Sequence, residues 1–378
     1  MTVMNAPDTN APEILAALDT VIDPELSRPI TQLGMVRSAT REGAAAAVEI
    51  ALTVSGCPMG ATIEADVRSA VLAVDGIDTV TVTMGVMTDE ERRALRIRLR
   101  GSDDPRIPFN DPASTTRVFA VASGKGGVGK SSVTANLAVA LAAKGLSVGI
   151  LDADIYGHSI PAIMGTTQLP QQVDDMIVPP LAHGVKVISI GQFVPDNAPI
   201  AWRGPMLHRA IQQFLTDVFW GDLDVLLLDL PPGTGDIALS VAQLTPGAQL
   251  LIVTTPQAAA ADVAERAGSI AEQTHQPIAG VIENMGAMVL PDGSTLDVFG
   301  AGGGSDVASR LSELLGTQIG LLGSIPLDPQ LRVGGDAGTP VVISDPDSPA
   351  ACALRDIADQ LTARTEPIAG KRLGLGIV

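Results

Sequence analysis

The sequence predicts an α/β protein with a mostly parallel sheet flanked by helices, preceded by a small α+β domain. Three observations predict it. From residue 117 onward, short apolar runs suited to buried strands alternate with helical patterns, as a parallel sheet with crossover helices requires. Residues 13–86 carry a compact helix–strand–strand–helix–strand order of their own. Between them, residues 101–116 (Gly-Ser-Asp-Asp-Pro-Arg-Ile-Pro-Phe-Asn-Asp-Pro-Ala-Ser-Thr-Thr) are rich in Pro, Asp and Ser and read as an interdomain linker. The expected division is a first domain at 1–100, the linker at 101–116, a larger domain at 117–366 and a tail at 367–378. A chain of 378 residues can bury two cores of this kind.

In the first unit, Ile14, Leu15, Leu18, Val21 and Ile22 give a short helix over 13–26 that ends at Asp23-Pro24-Glu25. Strands follow near 34–41 and 46–54, then the turn Ser55-Gly56-Cys57-Pro58. Ile63, Val67, Ala70 and Val71 share one face of a helix over 59–74, and a strand spans 78–86. Thr88-Asp89-Glu90-Glu91 has the form of a capping box opening a further helix. Five arginines between Arg92 and Arg100 fit a solvated helix face, or an anion site. In the second unit, strands are expected at 117–122, 146–151, 185–190, 223–229, 248–254, 278–283 and 319–325. No internal repeat stands out. With 46% hydrophobic but only 2% aromatic residues, the cores must be built from Ala, Val, Leu and Ile.

The strand at 117–122 runs into Gly124-Lys-Gly-Gly-Val-Gly-Lys-Ser131, which fits Gly-x4-Gly-Lys-[Ser/Thr] and opens a helix with Val133, Leu137, Ala140 and Leu141 toward the sheet. Strand, phosphate loop and helix together define a P-loop NTPase. Gly124, Lys125, Gly126, Gly127, Val128, Gly129, Lys130, Ser131 and Ser132 form the expected nucleotide cradle, because glycines let successive N–H groups turn toward phosphate oxygens. Lys130 is suited to the β- and γ-phosphates and the Ser131 hydroxyl to Mg²⁺. The sequence holds five lysines, Lys125, Lys130, Lys144, Lys186 and Lys371, and two of them fall in this one loop.

Acidic residues follow at the ends of two later strands. Asp152 and Asp154 close the run Leu146-Ser-Val-Gly-Ile-Leu151, where open α/β sheets place ligands. One of them can hold Mg²⁺-bound water and the other can orient or deprotonate an attacking water, the lesser alternative being that one of them caps a helix. Leu223-Asp-Val-Leu-Leu-Leu-Asp229 has the form of a Walker B strand aiming Asp229 at Mg²⁺. In Leu230-Pro-Pro-Gly-Thr-Gly-Asp236 the prolines stiffen a loop whose Gly233 and Gly235 let N–H groups approach a γ-phosphate. The expected Mg²⁺ set is therefore Ser131, Asp152 and Asp229.

These elements carry a resemblance. Lys125, in Gly-Lys-Gly-Gly-x-Gly-Lys-Ser, matches the deviant phosphate loop of the MinD/ParA-type ATPases. Further motifs resemble the Mrp/ApbC iron–sulfur cluster carriers: Asp152-Ala-Asp-Ile-Tyr-Gly157, Trp202-Arg-Gly-Pro-Met206, Leu228-Asp-Leu-Pro-Pro-Gly-Thr-Gly-Asp236, Val253-Thr-Thr-Pro-Gln257, Glu283-Asn-Met285 and Phe299-Gly-Ala-Gly-Gly-Gly304. The amino-terminal unit, with Asp23-Pro24-Glu25, Leu33-Gly34 and Gly56-Cys57-Pro58, is similar to the MIP18-type domain. The resemblance spans about residues 13 to 345. It implies an ATP-hydrolysing homodimer, with Lys125 reaching the partner's nucleotide and Asp154 in switch I near the attacking water. It further implies Asp229 and Gly233 in switch II, and Asn284 reading the adenine edge, a position that would otherwise be a turn or cap residue. The implied partners are iron–sulfur apoproteins or assembly proteins.

The sequence departs from the family in one chemical respect. The segment after Glu-Asn-Met, where the family usually has Cys-x-x-Cys, reads Met285-Gly-Ala-Met-Val-Leu-Pro-Asp-Gly-Ser-Thr-Leu-Asp-Val-Phe299 and holds no cysteine. His158, where the family usually has Pro, is a smaller departure. The chain's two cysteines are Cys57 and Cys352. Cys57 precedes Pro58 at a helix start, where the dipole favours thiolate. It is a candidate iron–sulfur ligand or reactive thiol, and alternatively a small buried cap. Cys352 is expected in the core.

A net charge of −18 argues against broad binding to nucleic acid or anionic membrane, so neither is an expected partner. No secretory leader or membrane span is expected, and two cysteines make no disulfide framework, so the expected setting is the cytoplasm. Two other readings use the same nucleotide switch. One is a MinD/ParA-like positioning ATPase, which the glycine-rich Gly370-Lys-Arg-Leu-Gly-Leu-Gly-Ile-Val378 end does little to support. The other is a scaffold that has lost cluster binding.

Overall fold

The structure, a computed structural model, describes residues 11–363 apart from 25, 27, 54–58, 101–105, 155–156, 174–175, 194–203, 234 and 258–259. Cys57 with its Gly-Cys-Pro turn, Ile155-Tyr156, Trp202-Arg203 and the tail expected at 367–378 lie outside the described residues.

The amino-terminal unit is α+β. Strands Val36–Glu42 and Ala45–Leu52 pair antiparallel, and Thr79–Val86 joins the second of them in parallel. The helix Gly60–Leu72 makes that crossover, burying Ile63, Val67 and Val71 from successive turns of one face. These side chains meet Ile14, Leu18, Ile50 and Leu95 in one core. The expected helix over 13–26 is shorter, Pro12–Leu18. The buried Asp23 carboxylate accepts from Leu26 N at 2.8 Å, so the chain turns around Pro24, and Ile22–Asp23 pairs with Arg28–Pro29 as a small antiparallel ladder. The capping box forms: Thr88 Oγ1 accepts from Glu91 N at 3.2 Å, and Glu91 Oε2 accepts from Thr88 N at 2.7 Å. It opens the helix Asp89–Arg100. Arg37 also bonds Glu91, and this holds the Glu91 carboxyl down at about 2.

The larger unit is built on an eight-stranded sheet. Its strands are β1 (Arg117–Ala122), β2 (Val148–Asp152), β3 (Leu181–Ala182), β4 (Val185–Ser189), β5 (Val225–Asp229), β6 (Gln249–Thr254), β7 (Ile278–Gly286) and β8 (Leu321–Pro326). Across the sheet they run β3-β4-β2-β5-β1-β6-β7-β8, and every neighbouring pair except β3–β4 is parallel. The seven strands expected from sequence are all present; the antiparallel edge β3 is additional. It has only two residues and carries no periodicity to read.

Helices cover both faces, and the central strands β1, β2, β5 and β6 are accordingly buried and mostly apolar. The helices Gly204–Thr216, Asp236–Leu244, Ala260–Thr274 and Gly303–Leu315 supply one core, around Leu207, Ile211, Val241, Val263 and Leu311. The phosphate-loop helix Lys130–Ala143 and the helix Pro349–Thr362 supply the other. The first of these is buried nearly all round, from Val133 through Leu141, because it lies between the sheet and the second. Its all-round apolar composition is thus required.

The two units touch. Met176, Val178 and Phe219 of the larger unit join the amino-terminal core, and Arg28 lies 3.5 Å from Asp222. Within the stretch read as a linker, residues 106–116 pack on the larger unit. Phe109 meets Trp220 edge-on at 6.4 Å, and Asn110 Nδ2 donates to Leu244 O at 2.8 Å. No described helix is long and apolar enough to cross a membrane.

Candidate nucleotide site

Chain order reverses direction around β1. From β1 the chain moves past β5 to β2, and from β5 it crosses back over β1 to β6. The carboxyl ends of β1, β2 and β5 therefore converge at a switch point, where open α/β sheets hold ligands. Asp152 ends β2, Asp229 ends β5 at the same register, and Ser123 follows β1.

Backbone conformation shapes the phosphate loop. Gly127 and Gly129 both have φ of +78°, which glycine alone adopts freely. Gly129 has a second constraint, since a Cβ there would stand 2.3 Å from Asn284 Nδ2. The helix Lys130–Ala143 begins at the next residue, so its unpaired N–H groups face the loop's concavity.

Below the loop lies a buried polar cluster centred on Asp229, which is 0% exposed. Lys130 Nζ stands 2.7 Å from Asp229 Oδ1. Ser131 Oγ donates to Oδ2 at 2.6 Å, and Thr134 Oγ1 donates to Oδ1 at 2.8 Å. The lysine ammonium has a charge partner but no directed hydrogen bond, although it is only 6% exposed. Buried donors are rarely left so, and phosphate oxygens would satisfy them. The Ser131 and Asp229 oxygens are hard donors of the kind Mg²⁺ takes.

Asp152 is equally buried but has no cation. Its Oδ2 accepts from Ser189 Oγ at 3.1 Å and Ile160 N at 3.3 Å, and its Oδ1 accepts from Asp154 N at 3.1 Å. Burial, followed by the nearby Asp229 charge, pushes its carboxyl up to about 7. Asp154 is half-buried, lines the cavity and accepts from Gly157 N at 3.0 Å. His158 packs its ring against Gly191.

The cavity has a volume of about 740 Å³ and is lined by the loop residues Gly126–Ser132, Asp154, Pro232, Asn284, Met285 and the helix Pro329–Asp336. That is ample for a small-molecule ligand. Asn284 Nδ2 donates to Val128 O at 2.9 Å, while its Oδ1 is buried with no partner. A ligand amine would complete it. Met285 has φ of +62°, a strained value for a non-glycine, and the β7–β8 register shifts beside it. Gly233, with φ of +92°, donates its N–H to Ser123 O at 3.1 Å and so ties the loop after β5 to the phosphate loop.

Of the loop residues, Gly124 and Lys125 do not line the cavity; Lys125 Nζ donates to Gln257 Oε1 at 2.6 Å. Arg266 donates to Gly124 O at 2.8 Å from the helix Ala260–Thr274. Sequence reasoning missed three contributors here. Thr134 was findable, because it lies one helical turn beyond Lys130 and so faces the same way. Arg266 and Ser189 reach the site through tertiary packing, which leaves no local signal. Gln257 closes the motif Val253-Thr-Thr-Pro-Gln257, which by itself gives it no role.

Beyond Met285, residues Met288–Val289 and Thr295–Leu296 pair as a short hairpin that exposes Val289, Leu296, Val298 and Phe299. Its base is fixed by Glu283, a buried carboxylate that accepts from Gly304 N and Ser324 Oγ, each at 2.7 Å. Cys352, expected in the core, is instead exposed, with Arg355 Nη2 3.3 Å from its sulfur. It sits on the helix Pro349–Thr362, whose core contacts are made by Leu354, Ile357, Ala358 and Leu361.

This fold, with a glycine loop clasped over an Asp–Lys–Ser–Thr cluster at the switch point, is that of a P-loop NTPase. The chain belongs to the ParA-like family described as the NUBPL iron-transfer P-loop NTPase, which matches residues 114–362; residues 12–84 match the iron–sulfur cluster assembly protein family. It is 61% identical over 370 residues to the iron-sulfur cluster carrier protein of Mycobacterium tuberculosis, covering 97% of each chain. It is 44% identical to the protein of that name from Deinococcus radiodurans, covering 93% of this chain and 94% of that one. Among solved structures it is similar to a nucleotide-binding protein from Archaeoglobus fulgidus in complex with ADP. That likeness has a TM-score of 0.52 and 37% identity, and covers 69% of this chain and 95% of that one.

Proposed function

We propose that the protein is an ATP-hydrolysing homodimer that carries or assembles iron–sulfur clusters for delivery to apoproteins. The observation that carries the nucleotide half is the buried cluster of Asp229 with Lys130, Ser131 and Thr134 beneath the glycine loop. The relatives named iron-sulfur cluster carrier protein support the cargo half.

In this reading the Lys130 ammonium turns its free donors to the β- and γ-phosphates. Ser131 and Asp229 would hold Mg²⁺, with Asp152 in the same acidic group, and the ion would supply charge to neutralise the phosphates. Asp154, at the cavity wall, orients the attacking water and receives its proton. The unpartnered Asn284 Oδ1 accepts from the adenine amine, a donor that guanine lacks at that position. Gly233 exchanges its bond to Ser123 O for a γ-phosphate oxygen, so hydrolysis returns the switch loop to the phosphate loop. Lys125, outside its own cavity, serves the nucleotide of the second copy.

The cargo needs thiolates, typically four. Among the described residues no group of three or more His, Cys, Asp or Glu converges on a possible metal position. Cys57 from each of two copies is therefore the proposed contribution to the cargo site. The experiment is anaerobic purification and cluster reconstitution, with iron and acid-labile sulfide measured per dimer in wild type and Cys57→Ala. Bound iron and sulfide that vanish in the variant support a carrier with its site in the amino-terminal unit. ATP turnover without any bound iron or sulfide rejects direct carriage. It would favour the scaffold reading, which the thiol-free segment 285–299 motivates.

A further inference from the structure

The Lys125 ammonium has a neutral partner, and both ends of that contact are built into the fold. On the lysine side, Arg266 holds Gly124 O at 2.8 Å and Ser123 Oγ donates to Lys125 O at 3.0 Å. The backbone on either side of the lysine nitrogen is thereby tied down. Gly124 is also pressed against the helix that carries Arg266, since a Cβ there would lie 2.9 Å from Val263 Cα. On the glutamine side, Pro256 and Thr255 pack beneath Gly303, where an added Cβ would come within 2.7 Å of their backbone. Gln257 therefore leaves a fixed backbone, and its Oε1 meets Lys125 Nζ at 2.6 Å.

The chemistry of the pair matters as much as its position. An amide oxygen bonds an ammonium without cancelling its charge, so a phosphate oxygen can outcompete it. A carboxylate at the same place would hold the ammonium against that exchange, and an apolar side chain would leave it to wander. We propose that Gln257 is a positioning residue for Lys125, holding its ammonium out of its own nucleotide cavity and yielding it to the phosphates of a second copy. The catalytic consequence rests on the dimeric ATPase reading above; the contact itself does not.

The test uses the full-length protein without nucleotide. Brief acetylation is followed residue by residue by mass spectrometry in wild type, Gln257→Leu and Gln257→Glu. With five lysines in the chain, each is resolved, and Lys144, paired with Asp359, reports whether the fold is intact. Acylation needs the nitrogen open to the reagent, and a side chain that holds it in a fixed contact slows that approach. Lys125 is expected to label about fivefold faster in Gln257→Leu and more slowly than wild type in Gln257→Glu. The Gln257→Glu protein should also show a lower kcat for ATP with KM unchanged, because the Lys125 side chain is turned to Gln257 and does not line its own cavity. A merely structural glutamine would not move the two variants in opposite directions. Equal Lys125 labelling in all three proteins overturns the proposal, whatever the turnover. The expected labelling with no turnover in wild type would instead reject the ATPase reading alone.

Discussion

Asp152 and Asp229 stand opposite one another at the carboxyl ends of adjacent parallel strands, and neither is exposed to solvent. Only Asp229 has a cation, Lys130, at 2.7 Å; Asp152 is satisfied by Ser189, Asp154 and Ile160, which are neutral donors. The two carboxyl groups therefore behave differently as pH changes.

Unfolded, Asp152 ionises near 3.8, and folded it does so at about 7, raised first by burial and then by the Asp229 charge. Between those values the folded state binds the extra proton, so stability falls as pH rises through the window and levels off above it. Asp152→Asn cannot ionise and should flatten that slope. Thermal midpoints from pH 5 to 8 in magnesium-free buffer check this, and parallel curves for the two proteins would rule it out.

Removing Asp229 alone leaves Lys130 as an unpaired buried cation and takes the carboxylate acceptor from Ser131, while Thr134 keeps its bond to Lys130 O. Asp229→Ala is expected to lose about 3–5 kcal/mol of stability in urea denaturation. Asp229→Leu combined with Lys130→Met should recover much of it, because no buried charge remains, while ATP turnover stays absent. A double variant no more stable than Asp229→Ala would show that the ion pair is not the source of the loss.

Asn284→Leu removes both the bond to Val128 O and the free Oδ1. Discrimination of ATP over GTP should fall about tenfold or more, since a site that hydrogen-bonds its ligand discriminates far better than an apolar one. Competition of each nucleotide against a fluorescent ATP analogue measures it directly. Retained discrimination would place base recognition on other residues.

Gly129→Ala puts a side chain at φ of +78° and a methyl group 2.3 Å from Asn284 Nδ2. The left-handed conformation costs about 1–2 kcal/mol, and Asn284 must also move. Nucleotide affinity should drop at least about tenfold while circular dichroism remains that of wild type. Tight binding by the variant would mean that the loop has another conformation when occupied.

What could be read from sequence was whatever is local along the chain. The phosphate loop, the Asp229 strand and the Thr88–Glu91 box each fit within a few residues, and each is found where its spacing implied. The first helix was drawn too long because Val21 and Ile22 continue its apolar spacing, yet the Asp23 carboxylate turns the chain onto Leu26 N. Cys352 was misplaced because its alanine-rich surroundings look apolar, whereas the helix turns Leu354 and Ile357 inward instead. Contacts such as Ser189 with Asp152, or Arg266 with Gly124, join residues far apart in sequence and were invisible until the sheet order was known.

Glu283 closes the hairpin at its root by bonding Gly304 N, so the chain leaves and re-enters the framework at one anchored point. Asn284 and Met285, next to that root, line the nucleotide cavity, whereas Val289, Leu296, Val298 and Phe299 of the hairpin are exposed and take no part in its lining. A loop held at its root behaves as a cassette: its exposed residues can be exchanged while the cavity wall keeps its shape. A thiol-free segment 285–299 that exposes Val289, Leu296 and Phe299 is what that arrangement accommodates.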